Sequence, residues 1–343
     1  MDPVLQIDNL RTSFMTSSGE VQAVRGVSFR VEKGEILGIV GESGSGKSVT
    51  SMSVLRLLAD TAVIKEGSSI RFEGQELIGL PMKELRKIRG EKISMIFQDP
   101  MSSLNPLIPV GKQVAEMMKE HHPDMSKEEL RKEALALLEK VRIPEPEKRF
   151  NSYPHEFSGG MRQRVMIAMA LANKPRLLIA DEPTTALDVT IQDQILRQLR
   201  ELEQEYQTSI IFITHDLGVV AEICDRVAVM YGGLIMEEAL IDDIFEKPSH
   251  PYTMGLIASI PDPQQDKSVR LQPIPGSPPD MTNPPAGCPF APRCPYARRI
   301  RAQELPDFVQ IGEGHQSRCF LQYPDAPADE KNPFKNDPAG EGT

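Results

Sequence analysis

Eight consecutive residues, Gly41-Glu42-Ser43-Gly44-Ser45-Gly46-Lys47-Ser48, have the spacing G-x-x-x-x-G-K-[ST]. Glycines at these positions let the backbone curl so that successive N–H groups point at phosphate oxygens, and a following helix adds its positive dipole end. Lys47 supplies a point charge for the β- and γ-phosphates, and the Ser48 hydroxyl can ligate Mg²⁺. The plain alternative is a Gly-rich turn with a solvent-facing lysine. A chance match in a chain of this length has a probability of roughly 1%, so phosphate binding is the stronger reading. A second feature is the run Leu177-Leu178-Ile179-Ala180-Asp181-Glu182, an apolar strand that ends in two carboxylates. Asp181 suits the water shell of Mg²⁺ and Glu182 suits a general base for attacking water. Alone, such a pair is usually a solvated strand end; following a phosphate loop, it becomes chemistry.

The third is Phe157-Ser158-Gly159-Gly160-Met161-Arg162-Gln163-Arg164. Ser158 and two glycines stand where an apolar helix, 161–172, begins, which is a second helix start suited to an anion. A plain cap is the bland reading, since Ser and Gly are common there. Two phosphate-seeking helix starts in one chain make better sense if the second serves a neighbour's nucleotide.

These residues need elements to hold them. The pattern predicts strands over 4–14 and 23–31, then an apolar strand 35–40 running into the Gly-rich loop and a helix over 47–58. Runs 177–180 and 209–214 read as buried parallel strands joined by an amphipathic helix, 190–206, and 227–230 with 234–237 as a final hairpin about Gly232-Gly233. Between these lies a helical block, about 110–141, with a capping box of Ser126 and Glu129 ahead of Leu130, Ala134, Leu137 and Leu138. Strands on both sides of a helical block imply an α/β fold: a parallel-sheet core with an inserted helical subdomain. Met166 and Met169 fit a helix core, the charges of 127–131 a solvated helix face, and Cys224 a buried thiol.

Composition narrows the field. The 343 residues carry 39 Lys plus Arg against 49 Asp plus Glu, a net charge of −10, which lacks the footprint of a nucleic-acid binder. No apolar run approaches the ~18 residues that cross a bilayer. The N-terminus has no basic region leading into an apolar one, and four cysteines do not make a disulfide scaffold, so the chain is expected to be made and kept in the cytosol. Of 29 prolines, 18 fall between Pro248 and Pro338, so the last ~95 residues read as a loop-rich appendage. Length divided by 150 gives about 2.3, consistent with two units. The divisions expected are a nucleotide-binding domain over 1–260, with its helical subdomain at about 100–170, an extension over 261–324, and a disordered tail over 325–343.

In family order and spacing, the phosphate loop, the Asp181-Glu182 strand and the Ser158-Gly159-Gly160 segment resemble Walker A, Walker B and the signature of the ATP-binding-cassette (ABC) ATPases. The resemblance implies a P-loop ABC fold with a RecA-like parallel-sheet core, an antiparallel β subdomain and the helical insertion. By position, Gln98 then resembles the Q-loop residue that senses the γ-phosphate and ligates Mg²⁺, Ala186-Leu187-Asp188 the D-loop, His215 the switch histidine, and Phe14 the aromatic that stacks on adenine. The segments Gln98-Asp99-Pro100-Met101-Ser102-Ser103-Leu104-Asn105-Pro106 and His250-Pro251-Tyr252-Thr253 are similar to the oligopeptide and dipeptide importer subclass, D-type subunit, over about residues 4–323. That subclass implies ATP hydrolysis on the cytoplasmic face of the cell membrane. It also implies two separate permease subunits, a second ABC ATPase forming a heterodimer, and an extracytoplasmic peptide-binding protein. No nucleic acid is expected as a partner; a soluble ABC ATPase acting on nucleic acid or ribosomes is the competing reading.

Cys288, Cys294 and Cys319 resemble the C-terminal region of these subunits, where some relatives hold a [4Fe–4S] cluster on four cysteines. This chain has Arg301 where a further cysteine is expected. His315 could complete a Cys₃His set, which also suits zinc; the bland alternative is three reduced thiols in a proline-rich cap.

Overall fold

The computed structural model describes residues 2–99, 103–185, 187–260, 273–297, 304–326 and 332–334. Pro100, Met101, Ser102, Ala186 and Arg301 lie outside them, as does most of the tail.

The core is an eight-stranded sheet in the order β12-β13-β11-β10-β3-β9-β8-β7. Five strands run parallel on one side of it, out to the edge strand β7: β7 (Ile93–Ile96), β8 (Leu177–Asp181), β9 (Ser209–Thr214), β3 (Ile36–Val40) and β10 (Arg226–Tyr231). Every residue of β3, β8 and β9 is buried, as befits parallel strands covered on both faces. Alternation along β3 divides the two faces: Ile36 and Val40 join one core, Leu37 and Ile39 the other. A second sheet, antiparallel, contains β1 (Leu5–Thr16), β2 (Gly19–Val31), β4 (Ala62–Ile64), β5 (Ser69–Phe72) and β6 (Gln75–Glu76). Its apolar side chains Leu5, Ile7, Val27 and Phe72 share the second core with Leu37 and Ile39.

The helix after the Gly-rich loop, α1, is Lys47–Val54, and α2 is Met82–Ile88. The helical block holds α3 (Val110–His121) and α4 (Lys127–Lys140), which pack Val110, Val114 and Met118 in one core with Leu130, Ala134, Leu137 and Leu138. Ser126 and Glu129 form the capping box expected. A short turn of helix, α5 (Pro146–Arg149), leads to α6 (Gly159–Leu171), whose Met166 is buried and Met169 half-buried. Helix α7 (Val189–Tyr206) is amphipathic and buries Ile195, Leu196, Leu199 and Leu202; α8 (Leu217–Ile223) follows β9. Cys224 is buried, and that burial raises its thiol pKa.

The hairpin partner of β10, β11, is Leu234–Leu240, and it carries an unexpected neighbour. Strands β12 (Val309–Gly312) and β13 (His315–Ser317), both in the proline-rich region, add to its free edge through Glu237↔Ser317 and Glu238↔Gln316. The extension is thus not a loose appendage: it continues the core sheet. Between lie α9 (Ile241–Glu246) and α10 (Pro251–Ala258). Within the segment expected to be disordered, Asn332 is fully buried and its Nδ2 donates to the Leu321 carbonyl at 3.2 Å. Among the described residues no helix is long and apolar enough to cross a membrane.

Candidate active site

The Gly-rich loop leaves the C-terminal end of β3 and enters α1, so both its ends are fixed by buried structure. Gly41 has φ +155, and a Cβ there would lie 2.1 Å from the Met230 carbonyl oxygen of β10. Only glycine allows the loop to start this close to the neighbouring strand. The Lys47 ammonium lies inside the curl, donating to the carbonyls of Gly41 at 2.7 Å and Glu42 at 3.0 Å. Burial lowers its pKa, opposed by the negative charges of Glu182, Asp181 and Glu42. The buried Ser45 hydroxyl has no hydrogen-bond partner among the described residues. Bare backbone, a buried cation and an unpaired hydroxyl are what an anion with many acceptor oxygens requires.

Strand β8 delivers the two carboxylates. Asp181 is buried, and its Oδ1 accepts from Ser48 Oγ at 3.1 Å, which joins the strand to the first turn of α1. Burial raises the Asp181 pKa; the Ser48 hydrogen bond works against that, and the Glu182 charge adds to it. These two oxygen donors, with the Gln98 amide nearby, form a hard-ligand set that fits Mg²⁺.

Glu182 has φ +47, a left-handed backbone uncommon for a residue with a side chain. Its N–H is tied to the Ile213 carbonyl of β9 at 2.9 Å, and the turn aims the carboxylate away from β8. Three side chains converge on that carboxylate: Gln98 Nε2 donates at 2.9 Å, Thr185 Oγ1 donates at 2.8 Å, and His215 Nδ1 lies at 3.3 Å. Burial alone would raise the Glu182 pKa, but the hydrogen bonds of Thr185 and His215 and the Lys47 charge hold it below the usual value. Gln98 follows β7, Glu182 follows β8 and His215 follows β9, so three adjacent parallel strands bring the three together at their C-terminal ends. Ligands of open α/β sheets bind at that edge. One cavity is lined by Glu42, Ser43, Gln98, Glu182 and His215, together with Leu256, Ser259, Pro273 and Ile274.

Ser158, Gly159 and Gly160 are elsewhere. Ser158 caps α6, its Oγ accepting from Met161 N at 3.4 Å, and Asp188 caps α7, accepting from Ile191 N at 2.9 Å. The three signature residues and Asp188 line a second cavity with Leu187, Ile191, Arg142 and Arg164. A Cβ on Gly160 would come within 2.8 Å of Ile191 Cγ2, so glycine is what lets the start of α6 approach α7. The two cavities have no lining residue in common. Phe14 is half-buried on β1, opposite Val21 and Ala62, two residues past Thr12, whose hydroxyl bonds Ser53 of α1 at 3.1 Å.

Sequence reasoning missed several neighbours. Thr185, beside Glu182, gave no signal because a lone threonine in a loop is unremarked. Tyr252 and Arg293 also escaped: the Tyr252 hydroxyl accepts from Glu42 N at 2.8 Å, and Arg293 pairs with the Glu42 carboxylate.

The cysteine expectation finds no support in the described residues. Cys288, Cys294 and Cys319 do line one largely apolar cavity, with His250, Phe290, Tyr296 and Leu321. Among the described residues, however, no group of three or more His, Cys, Asp or Glu is arranged to hold a metal. His315 is not a fourth ligand: its Nε2 lies 2.8 Å from Glu237 Oε1 in a buried pair. Burial raises the pKa of all three thiols, that of Cys294 to about 11. Among the described residues nothing thus supports the expected iron–sulfur or zinc site.

Comparison with known proteins agrees with this geometry. The ABC transporter family profile matches residues 24–185, and that of the oligopeptide/dipeptide transporter C-terminal region matches 236–300. The oligopeptide transport ATP-binding protein OppD of Bacillus subtilis is 55% identical over 324 residues, covering 94% of this chain and 90% of its own. The dipeptide transport ATP-binding protein DppD of Lactococcus lactis is 51% identical over 95% of this chain and 93% of its own. Among solved structures, the dimeric post-hydrolysis ATP-binding cassette MJ0796 bound to ADP and Pi has 30% identity and a TM-score of 0.63, over 69% of this chain and 98% of its own. A phosphate-type loop and a second helix start lining separate cavities, a carboxylate held by three strand ends, and relatives spanning nearly the whole chain lead to one assignment: the chain belongs to the ATP-binding proteins of ABC transporters, in the oligopeptide/dipeptide transporter subclass.

Proposed function

We infer that this chain hydrolyses ATP to power uptake of oligopeptides or dipeptides through separate permease subunits, acting at the cytoplasmic face of the membrane. The observation that carries the chemistry is the convergence of Gln98, Thr185 and His215 on Glu182, at a cavity that Gln98, Glu182 and His215 line together with Glu42 and Ser43 of the phosphate loop. Lys47 and the loop N–H groups of 41–48 bind the β- and γ-phosphates, and Phe14 stacks on the base. Ser48, Asp181 and Gln98 would hold Mg²⁺, which would supply charge neutralisation on the phosphates. Glu182, kept ionised by its neighbours, accepts a proton from the attacking water. His215 and Thr185 orient the Glu182 carboxylate, and Gln98 reaches both the γ-phosphate and Glu182.

The second cavity completes a neighbour's site. Ser158 and Gly160, at a helix start too far from this chain's own loop to share a cavity with it, meet the nucleotide of a second ABC ATPase. Asp188 stands at the joint between the two. Closure of the pair on ATP and its reopening after hydrolysis then move the helical subdomain, 100–170, against the permease. The nucleotide-binding unit is 1–260 and the extension 261–324, with an extracytoplasmic binding protein choosing the peptide.

Purification of the chain from native membranes in mild detergent tests this assembly. Two multi-span permeases, a second cassette ATPase and a solute-binding protein are expected to co-purify. Ribosomal or DNA-repair partners without membrane subunits would overturn the transport reading and leave the ATPase chemistry standing.

A further inference from the structure

We propose that Arg293, from the C-terminal extension, is a positioning residue for the phosphate loop: it clamps Glu42 and the cavity wall at Ile274, so the extension sets the affinity of the ATP site. The inference rests on the reading of that cavity as a nucleotide site and adds to it a control lying outside the cassette.

A guanidinium has five N–H donors in a fixed plane, and here all five are used. Nη1 donates to Glu42 Oε2 at 2.5 Å and to Tyr231 Oη at 3.1 Å. Nη2 donates to Glu42 Oε1 and to the Ile274 carbonyl, both at 3.0 Å, and Nε donates to the Pro275 carbonyl at 2.8 Å. The side chain is 4% exposed, and the Tyr231 and Phe290 rings lie 5.7 and 5.9 Å from its centre. Gly276, with φ +82, brings the chain so close that a Cβ would lie 3.2 Å from Arg293 Cγ. This is a built socket for one guanidinium; lysine, with a single nitrogen, cannot fill it.

What the guanidinium holds is part of the loop that binds phosphate. Glu42 is fixed at three points: its carboxylate by Arg293, its N–H by the Tyr252 hydroxyl, and its carbonyl by Lys47 Nζ. Two of those three holds come from beyond the cassette's own motifs. A phosphate loop works by presenting N–H groups already aimed, so their aim in the free protein governs binding. The carbonyls that Arg293 grips belong to Ile274 and Pro275, and Pro273 and Ile274 form one wall of the cavity that holds Glu182. One side chain therefore fixes both the loop and the wall facing it. It touches none of Lys47, Ser48, Asp181 and Glu182 and is not itself catalytic.

The test is ATP hydrolysis by the assembled transporter, with equilibrium MgATP binding to the full chain, for Arg293→Met, Arg293→Lys and Glu42→Gln. Arg293→Met is expected to raise both KM and Kd for ATP by about tenfold or more, the size of a lost charge-assisted bidentate contact. At saturating ATP, kcat should stay within about threefold. Arg293→Lys should recover only part of the affinity. Glu42→Gln, which approaches the pair from the cassette side, should weaken ATP binding in the same direction and decides the matter if Arg293→Met fails to fold. Unchanged KM in both Arg293→Met and Glu42→Gln, or a fall in kcat at unchanged KM, would overturn the inference while the nucleotide site stands. Failure of the unsubstituted chain to bind MgATP would overturn both.

Discussion

At the scale of single residues, the site separates binding from chemistry. Lys47, with Ser45 and Gly46 of its loop, is buried, whereas Gln98 and His215 are exposed and reach Glu182 from strand ends. The residue proposed to stack on adenine, Phe14, lies on a different sheet, on β1, whose Thr12 hydroxyl meets Ser53 of α1. A change there should be felt in affinity and hardly in rate. Phe14→Ala is expected to raise the KM for ATP about tenfold, as for loss of a base–aromatic stack of ~1–3 kcal/mol, with kcat nearly unchanged. An unchanged KM in steady-state kinetics would mean that another side chain stacks on the base. Most of these residues were legible in the sequence, because phosphate loops and carboxylate-terminated strands depend on residue type at fixed spacing. Thr185 and Arg293 were not. Their work depends on partners three and 251 positions away, and a lone threonine or arginine carries no spacing to read.

At the scale of elements, the strands with continuous apolar runs were placed within a residue or two, because burial on both faces leaves an unmistakable pattern in β3, β8 and β9. The capping box of α4 was equally plain. The short strands β4 to β6 and the helix α2 were not anticipated: two to seven residues are too few for a period to show. Helix α10 shows what a cap adds. Its N-cap is His250, whose Nδ1 accepts from Tyr252 N at 3.0 Å, while its own N–H donates to the buried Glu237 carboxylate at 2.9 Å. Complete burial pushes the imidazole pKa from 6.5 down to about 3. The sign follows directly. Between pH 6.5 and 3 the unfolded chain takes up a proton at this position and the folded chain does not, so stability present above pH 6.5 is lost as the pH falls. The slope from one such group approaches about 1.4 kcal/mol per pH unit. His250→Asn keeps a side-chain acceptor at the cap and removes the titration. Urea midpoints measured between pH 6.5 and 4 should fall less steeply in the variant than in the parent; parallel slopes would contradict the assignment.

At the scale of the whole molecule, the extension is the feature least visible in the sequence. Its prolines suggested a loop-rich appendage, and the chain is indeed irregular over 273–297. Yet β13 pairs with β11 and β12 with β13, widening the core sheet by two strands, and backbone pairing of this kind needs no apolar run to announce it. Cys288, Cys294 and Cys319 were singled out by their similarity to relatives; their shared, largely apolar cavity and the commitment of His315 to Glu237 are seen only in the fold. The extension also reaches the antiparallel sheet, where Gln22 N donates to the Met281 carbonyl at 2.9 Å and Arg25 Nη2 to the Pro285 carbonyl at 2.8 Å. It therefore touches both sheets and the phosphate loop.

The central claim is that Glu182 activates water in a site completed by a second ATPase, and Glu182→Gln in the assembled transporter tests it most directly. The amide keeps the shape of the position and one acceptor oxygen but cannot accept the proton. MgATP binding should be retained within a few-fold, while ATP turnover falls by at least ~100-fold, the contribution of a positioned base. Near-normal turnover in that variant would contradict the account, leaving a nucleotide site whose base lies elsewhere.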